Sequence, residues 1–296
     1  MTSLEIRELK KSFTVDSVFQ SLRLKKEKKE VLRGLSFSVK SGHITGFLGS
    51  NGAGKTTTLQ CVLGFIHPDA GEVYLHGERV ARGGRIKSVG FLPERPYFYE
   101  HLTGKEFLQF FSRLSGPGAS YNESARVSEL LRLVRLEDAG NRLLRHYSKG
   151  MLQRIGLAQA LIHQPKLIIL DEPMAGLDPD SRLEMSRIIK AIAADGAAVF
   201  FSSHLLHDAE LLCQDLVIIR QGALVYEGPT LELLQGLNSG FRITYGSETH
   251  QEVVVAEDKT SLQSKIDTLR SQRKEILDVR LVRPSLEEAF ERITKI

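Results

Sequence analysis

The segment Gly49-Ser50-Asn51-Gly52-Ala53-Gly54-Lys55-Thr56 constrains this chain more than any other feature. It fits the pattern G-x4-G-K-[ST] and sits between the strand-like run HITGFL from His43 and the helix-like LQCVLGFI. A glycine loop in that setting turns successive backbone N–H groups inward, and the helix after it adds its positive dipole end. Phosphate is the group such a loop cradles. Lys55 is placed to reach the outer phosphates, and Thr56 to hold a divalent cation.

The chain around the loop must supply a sheet for it. Val89–Leu92, Leu167–Leu170, Ala197–Phe201 and Leu216–Ile219 are short apolar runs separated by helical segments, as buried parallel strands are. Leu4–Leu9 alternates as a short strand and Val31–Val39 as another, with the basic stretch Leu22–Glu30 between them reading as an inserted loop. A turn is expected at His67–Gly71. From about Tyr97 to Gln164 apolar spacing of three and four predicts helices, notably over Glu106–Leu114 and Ser128–Val134, with a break at Ser115–Ser120. Beyond Leu234 come strands near Phe241–Tyr245, Gln251–Ala256 and Ile276–Val282 and helices near Ser261–Arg270 and Ser285–Ile293. The expected organisation is an α/β core with a mixed sheet over residues 1–234, a helical subdomain inserted over about 97–164, and a small C-terminal α/β domain over 238–296.

Composition narrows the class without naming a partner. Of 296 residues, 42% are hydrophobic and 26% charged, which fits a folded globular chain and excludes collagen, coiled coil and disorder. Forty Lys and Arg against 36 Asp and Glu give a formal charge of +4, too small to mark a dedicated nucleic-acid surface. The two cysteines, Cys61 and Cys213, form no metal-ligand cluster and suit a reducing compartment. No apolar run reaches the roughly 18–20 residues of a spanning helix, and Met1–Lys11 lacks the apolar stretch of a leader. A cytoplasmic protein is expected, and if it works at a membrane another polypeptide spans it.

Three further segments carry chemistry. Leu167-Ile168-Ile169-Leu170-Asp171-Glu172 is an apolar strand releasing two carboxylates at its carboxyl end, where open α/β sheets bind nucleotides. Such an end is common by itself; downstream of the phosphate loop, Asp171 suits the cation and Glu172 the attacking water. His204 is delivered in the same way by the run Ala197–Ser203 and can reach a phosphate or that water. In Tyr147-Ser148-Lys149-Gly150-Met151, Ser148 suits a helix N-cap and Gly150 leaves backbone donors free for an anion.

In this order and spacing, the chain resembles an ATP-binding cassette (ABC) ATPase, the nucleotide-binding subunit of an ABC transporter, over about Leu4 to Gly228. The elements that carry the likeness are the phosphate loop, YSKGMLQR, LIILDEP, Ala175-Gly176-Leu177-Asp178 and the serine pair before His204. The resemblance implies a P-loop NTPase fold, ATP and Mg2+ as ligands, and two subunits, a homodimer or a heterodimer, closing head to tail. It implies that Gly49, Ser50, Asn51, Gly52, Ala53, Gly54, Lys55, Thr56 and Thr57 hold the nucleotide of one subunit. Ser148 and Gly150 would contact the partner's γ-phosphate, and Asp178 would link the two sites. Glu172 would be the general base, His204 the γ-phosphate sensor, and Lys55 would act in catalysis. Thr56, Asp171 and Glu94 would face Mg2+.

Two positions depart from the family pattern. Lys149 puts a cation where the signature commonly has glycine, and Phe91-Leu92-Pro93-Glu94 has glutamate where the family has glutamine. Glu94 keeps an oxygen for a metal but loses the amide donor. The adenine-stacking aromatic corresponds to Phe13, with Phe19 as its competitor. The LPE variant, the YSKG signature and the C-terminal unit ending Arg283-Pro284-Ser285-Leu286-Glu287-Glu288-Ala289-Phe290 look like the exporter branch whose integral membrane permease is a separate polypeptide. The expected function is the ATP-hydrolysing motor of such a transporter, peripheral on the cytoplasmic face of the membrane, without a nucleic-acid partner. The other class that the motifs allow is a soluble ATPase switching on nucleic acid or ribosomes.

Overall fold

The computed structural model describes residues 2–16, 26–81, 86, 88–115, 122–235, 240–246, 251–256, 258–282 and 285–295. Phe19, the stretch 22–25, residues 116–120 of the expected break, and Arg283 and Pro284 lie outside them. Contacts divide the chain into two compact units, Met1–Glu227 and Gly228–Ile296.

The first unit begins with β1 (Thr2–Asp16) and β2 (Lys26–Lys40), a long antiparallel pair. It continues through β3 (Ile44–Leu48), α1 (Lys55–Val62), β4 (Ala70–Leu75), β5 (Glu78–Arg79) and β6 (Val89–Leu92). The helices α2 (Gly104–Leu114), α3 (Glu123–Leu133) and α4 (Lys149–Ala160) come next, with a single 3-10 turn at Leu144–His146. Then come β7 (Leu167–Asp171), α5 (Pro179–Ala194), β8 (Ala198–Ser203), α6 (Leu206–Leu212), β9 (Asp215–Arg220) and β10 (Ala223–Pro229), whose last two residues fall in the second unit.

Two sheets result. One is antiparallel in the order β2-β1-β4-β5, and the other has the order β10-β9-β3-β8-β7-β6. Within the second, β9, β3, β8, β7 and β6 are joined by parallel ladders. Every residue of β3, β7 and β8 is buried, which is why their sequences are continuous apolar runs rather than alternating ones. Phe37 of the antiparallel sheet packs on Phe47 and Phe200 of the parallel one, with ring centroids 5.5 and 5.6 Å away. These rings anchor one apolar core shared by both sheets and α1.

The basic stretch is corrected in part. Lys26–Glu30 is strand, paired with Ser12–Asp16, rather than loop. Lys28–Glu30 are exposed, so the pairing rests on backbone hydrogen bonds and leaves no period-two apolar signal. Likewise the first strand runs past Leu9 to Asp16, with register shifts that break its alternation. Ala70 and Gly71 open β4 rather than ending a turn, and α1 stops at Val62, short of the expected LQCVLGFI.

The second unit holds α7 (Thr230–Gln235), β11 (Gly240–Gly246), β12 (Gln251–Ala256), α8 (Lys259–Ser271), β13 (Ile276–Val282) and α9 (Leu286–Lys295). Its three strands form an antiparallel sheet in the order β12-β11-β13, and α8 packs against all three.

Candidate nucleotide site

The parallel strands β3, β7 and β8 end side by side, so the segments leaving them gather at one edge of the sheet. After β3 comes the glycine loop. Gly54 caps α1 with φ 109°, a backbone conformation that favours glycine, and a Cβ there would also crowd Leu32 Cδ2 at 2.8 Å and the Val31 carbonyl oxygen at 3.2 Å. Ser50, Asn51 and Gly52 face solvent, whereas Gly49, Ala53 and Gly54 are buried. The loop is pinned by Ala53 N–H to the Ser50 carbonyl (3.1 Å) and by Gly222 N–H to the Ala53 carbonyl (2.9 Å). Thr56 lies exposed at the start of α1, and Thr57 is half-buried.

Lys55 is only 8% exposed. Its ammonium donates to the Gly49 carbonyl at 2.6 Å and lies 4.0 Å from Glu172 Oε1. Burial lowers its pKa, and the charges of Glu172 and Asp171 oppose that shift. The two carboxylates after β7 are held differently from each other. Asp171 is buried and accepts from the Ser202 hydroxyl at 2.5 Å. Burial raises its pKa, the Ser202 bond lowers it, and the nearby charge of Glu94 raises it.

Glu172 sits at φ 49°, a left-handed conformation that costs a non-glycine residue roughly 1–2 kcal/mol. The surroundings over-determine it. Its N–H donates to both the hydroxyl (3.0 Å) and the carbonyl (3.2 Å) of Ser202, and its Oε2 lies 2.8 Å from His204 Nδ1. Lys55, Asp171, Glu172, Ser202 and His204 are therefore one bonded cluster. Ser202 ties the Asp171 carboxylate and the Glu172 backbone to β8, a role that its place in the serine pair before His204 did not by itself assign.

Glu94 comes after β6, the strand beside β7, close enough to influence Asp171, with its side chain 52% exposed and 3.8 Å from Arg95 Nε. Asp171, Glu172 and Glu94 outnumber the one buried cation of the cluster, so the donor set fits a divalent cation. Among the described residues no three His, Cys, Asp or Glu side chains converge into a closed metal site. Mg2+ is in general held by only one or two protein carboxylates together with substrate phosphates.

The remaining predicted residues lie apart from this cluster. Ser148 caps α4 by accepting from Met151 N–H at 3.2 Å. A Cβ on Gly150 would stand 2.8 Å from Ser181 Cβ, so the start of α4 rests on the start of α5. Asp178 caps α5, accepting from Ser181 N–H (2.9 Å) and Ser181 Oγ (2.7 Å), bonds that hold its carboxyl below the usual range. The Lys149 ammonium lies against Gly176, in the segment leading to Asp178.

Phe13 is 37% exposed, with the Lys11 ammonium 5.5 Å from its ring centroid. Lys11 is itself bound to Asp69 (3.0 Å) and the His67 carbonyl (2.8 Å), and Asp69 accepts from Ser12 N–H at 2.7 Å. The contacts that position Phe13 therefore run to the segment after α1.

A glycine loop between strand and helix, a buried lysine folded on it and an acidic strand end beside it define a P-loop NTPase. The comparisons with known proteins carry this further. The family model described as ABC transporter matches residues 32–175. An uncharacterised ABC transporter ATP-binding protein of Nostoc sp. is 41% identical over 277 residues, spanning 88% of this chain and 82% of that one. A Nod factor export ATP-binding protein of Burkholderia orbicola is 39% identical over 220 residues, 73% and 72% of the two chains. A solved ATP-binding subunit of an ABC transporter superposes with a TM-score of 0.64 at 29% identity, covering 79% of this chain and 92% of that one. The chain belongs to the family of ABC transporter ATP-binding proteins, and it is a nucleotide-binding ATPase of that family.

Proposed function

We propose that this chain is the motor subunit of an exporter. Two copies close head to tail over MgATP, closure drives a separate integral membrane permease, and hydrolysis resets the pair. The single observation that carries the reading is the division of the predicted residues. Lys55, Asp171, Glu172 and His204 are tied into one cluster, while Ser148, Gly150 and Asp178 are engaged with α4 and α5 of their own chain. A second copy brings its α4 start to the first copy's phosphate loop.

In this mechanism Gly49–Thr57 and Lys55 bind the phosphates, and Thr56, Asp171 and Glu94 would hold Mg2+. The cation would neutralise charge on the phosphate oxygens. Glu172 accepts the proton of the attacking water at its carboxylate. His204, bonded to that carboxylate, fixes its direction and lies beside it to meet the terminal phosphate. Ser202 holds both acidic residues in register. Phe13 serves as the stacking surface for adenine.

The permease contact is supported by exposed aromatics between β6 and α3. Tyr97 is 84% exposed, and Tyr99 and Phe110, 5.5 Å apart, also face solvent, as does Leu114. Among the described residues no helix is long and apolar enough to cross a membrane. The chain then acts as a peripheral protein on the cytoplasmic face. Export as the direction is supported by the Nod factor export relative and by the LPE and YSKG variants.

The test is Glu172→Gln in MgATP. Light scattering should show a stable dimer that forms with ATP and not with ADP, with turnover down about 10²- to 10⁴-fold, the scale of a lost general base. A monomeric variant that hydrolyses ATP at the wild-type rate would refute the assignment.

A further inference from the structure

The opposite edge of the parallel sheet, where its strands begin, carries a cavity of about 1260 Å3. Lys166 immediately precedes β7 and Asp171 ends it, so at about 3.3 Å per residue the two ends lie roughly 16 Å apart. The cavity is therefore distinct from the nucleotide site, and none of the nucleotide-site residues lines it.

Its walls come from three parts of the first unit. Thr2, Ser3 and His76 belong to the antiparallel sheet and its turn, Arg126 and Arg132 to α3, and Ile192 to α5. The floor is apolar, with Leu161 and Ile192 buried and Leu133 half-buried. Around it stand cations. Arg126 is already engaged, with Glu129 Oε1 at 2.8 Å and the Leu161 carbonyl at 2.5 Å, but its Nε–H is buried without a partner. His76 Nε2 is likewise buried and unpartnered. Lys166 lies close enough to His76 to help depress its pKa, and burial is the larger cause. Neither Arg132 nor Lys166 has an ion-pair partner among the described residues. Of the acidic residues lining the cavity, Glu5 is bound by Arg7 and Glu129 by Arg126, which leaves Asp195 as the opposing charge.

With Glu5 and Glu129 already paired, the unpaired cations Arg132 and Lys166 outnumber the one opposing carboxylate, Asp195, and give the cavity an affinity for negative charge. We propose that this cavity binds a small amphipathic organic anion, its apolar body on Leu133, Leu161 and Ile192 and its acidic group toward Arg132 and Lys166. The site is independent of the motor reading, because no residue in it takes part in nucleotide binding.

The chain has no tryptophan, which gives a local readout. In full-length Leu133→Trp, titration with the amphipathic anion anilinonaphthalene sulfonate should quench the indole by energy transfer and saturate at one dye per chain. Adding Lys166→Glu and Arg132→Glu should weaken the dye at least about tenfold, the scale of two lost charge-assisted contacts. Lys259→Glu, in the second unit, should leave it unchanged. ATP affinity measured alongside should be unaltered in every variant, which shows that the cassette remains folded. Dye binding without quenching of the indole, or with equal affinity in the charge-reversed protein, would overturn the proposal.

Discussion

Residues at the carboxyl ends of β3, β7 and β8 hold one another, whereas Ser148, Gly150 and Asp178, at the starts of α4 and α5, are engaged with their own and each other's helices. The first group is built on buried strands whose every residue is packed, so Asp171 and Ser202 are fixed by the core as well as by their bonds, and Lys55, Glu172 and His204 are held where the chain leaves those strands. The second group consists of caps. Ser148 and Asp178 accept hydrogen bonds from backbone within their own first turns, and Gly150 is small because Ser181 presses on it. Half of the proposed catalytic site is thus preorganised in one chain. The other half is a surface for a second chain to meet.

That difference predicts unequal consequences of mutation. Lys55→Ala removes the buried cation of the preorganised half and should weaken ATP binding about 10- to 100-fold, the scale of a charged hydrogen bond, read by equilibrium binding of a fluorescent ATP analogue. An unchanged affinity would detach Lys55 from the phosphates. Ser202→Ala removes the hydroxyl bonded to the Asp171 carboxylate and to Glu172 N–H, and leaves that N–H only the backbone carbonyl of residue 202. Turnover should drop about fivefold to tenfold, with ATP affinity nearly kept, because about 1 kcal/mol of positioning is lost. Equal losses in binding and turnover would mean that Ser202 acts on the whole loop instead.

Asp171→Asn removes turnover, and its small expected change in stability tests the preorganised half. Burial raises the folded pKa of Asp171 above its unfolded value. The folded state therefore holds this proton more tightly, and the stability it lends is full below the unfolded pKa and lost as pH rises through the folded one. At pH 7 the ionised form is a cost. The amide should therefore raise Tm at pH 7 by about 2–4 °C for each kcal/mol recovered, with a smaller gain under acid conditions, while turnover is abolished. A lower Tm at pH 7 would show that the Ser202 bond outweighs burial.

Much of this was legible in the sequence because it rests on local pattern. Gly49–Thr56 between a strand and a helix, and the apolar run ending in Asp171 and Glu172, announce themselves without tertiary information. Val89–Leu92, Gln251–Ala256 and Ile276–Val282 coincide with strands residue for residue, since each is bounded by polar or turn residues. Lys26–Glu30 was not legible, because a strand extension in solvent shows no apolar alternation. Nor was the role of Ser202, whose two partners lie about thirty residues upstream and meet it only through sheet register. The Lys149 ammonium beside Gly176 was hidden for a similar reason, since it depends on how α4 packs beside the loop leading to α5. The cavity at the opposite edge brings together Ser3, His76, Arg126 and Lys166, which no motif connects.

The central claim, that each hydrolytic site is completed by two chains, is tested most directly by complementation. Lys55→Ala disables the preorganised half, and Ser148→Arg blocks the surface half. Each variant alone should lack ATPase activity. Mixed in equal amounts, half of the dimers would pair the two variants and carry one intact composite site. Activity should then return to about a quarter of wild type, as expected for a symmetric dimer with two equivalent sites. A mixture no more active than its components, with mixed dimers shown to form, would contradict a site shared between chains.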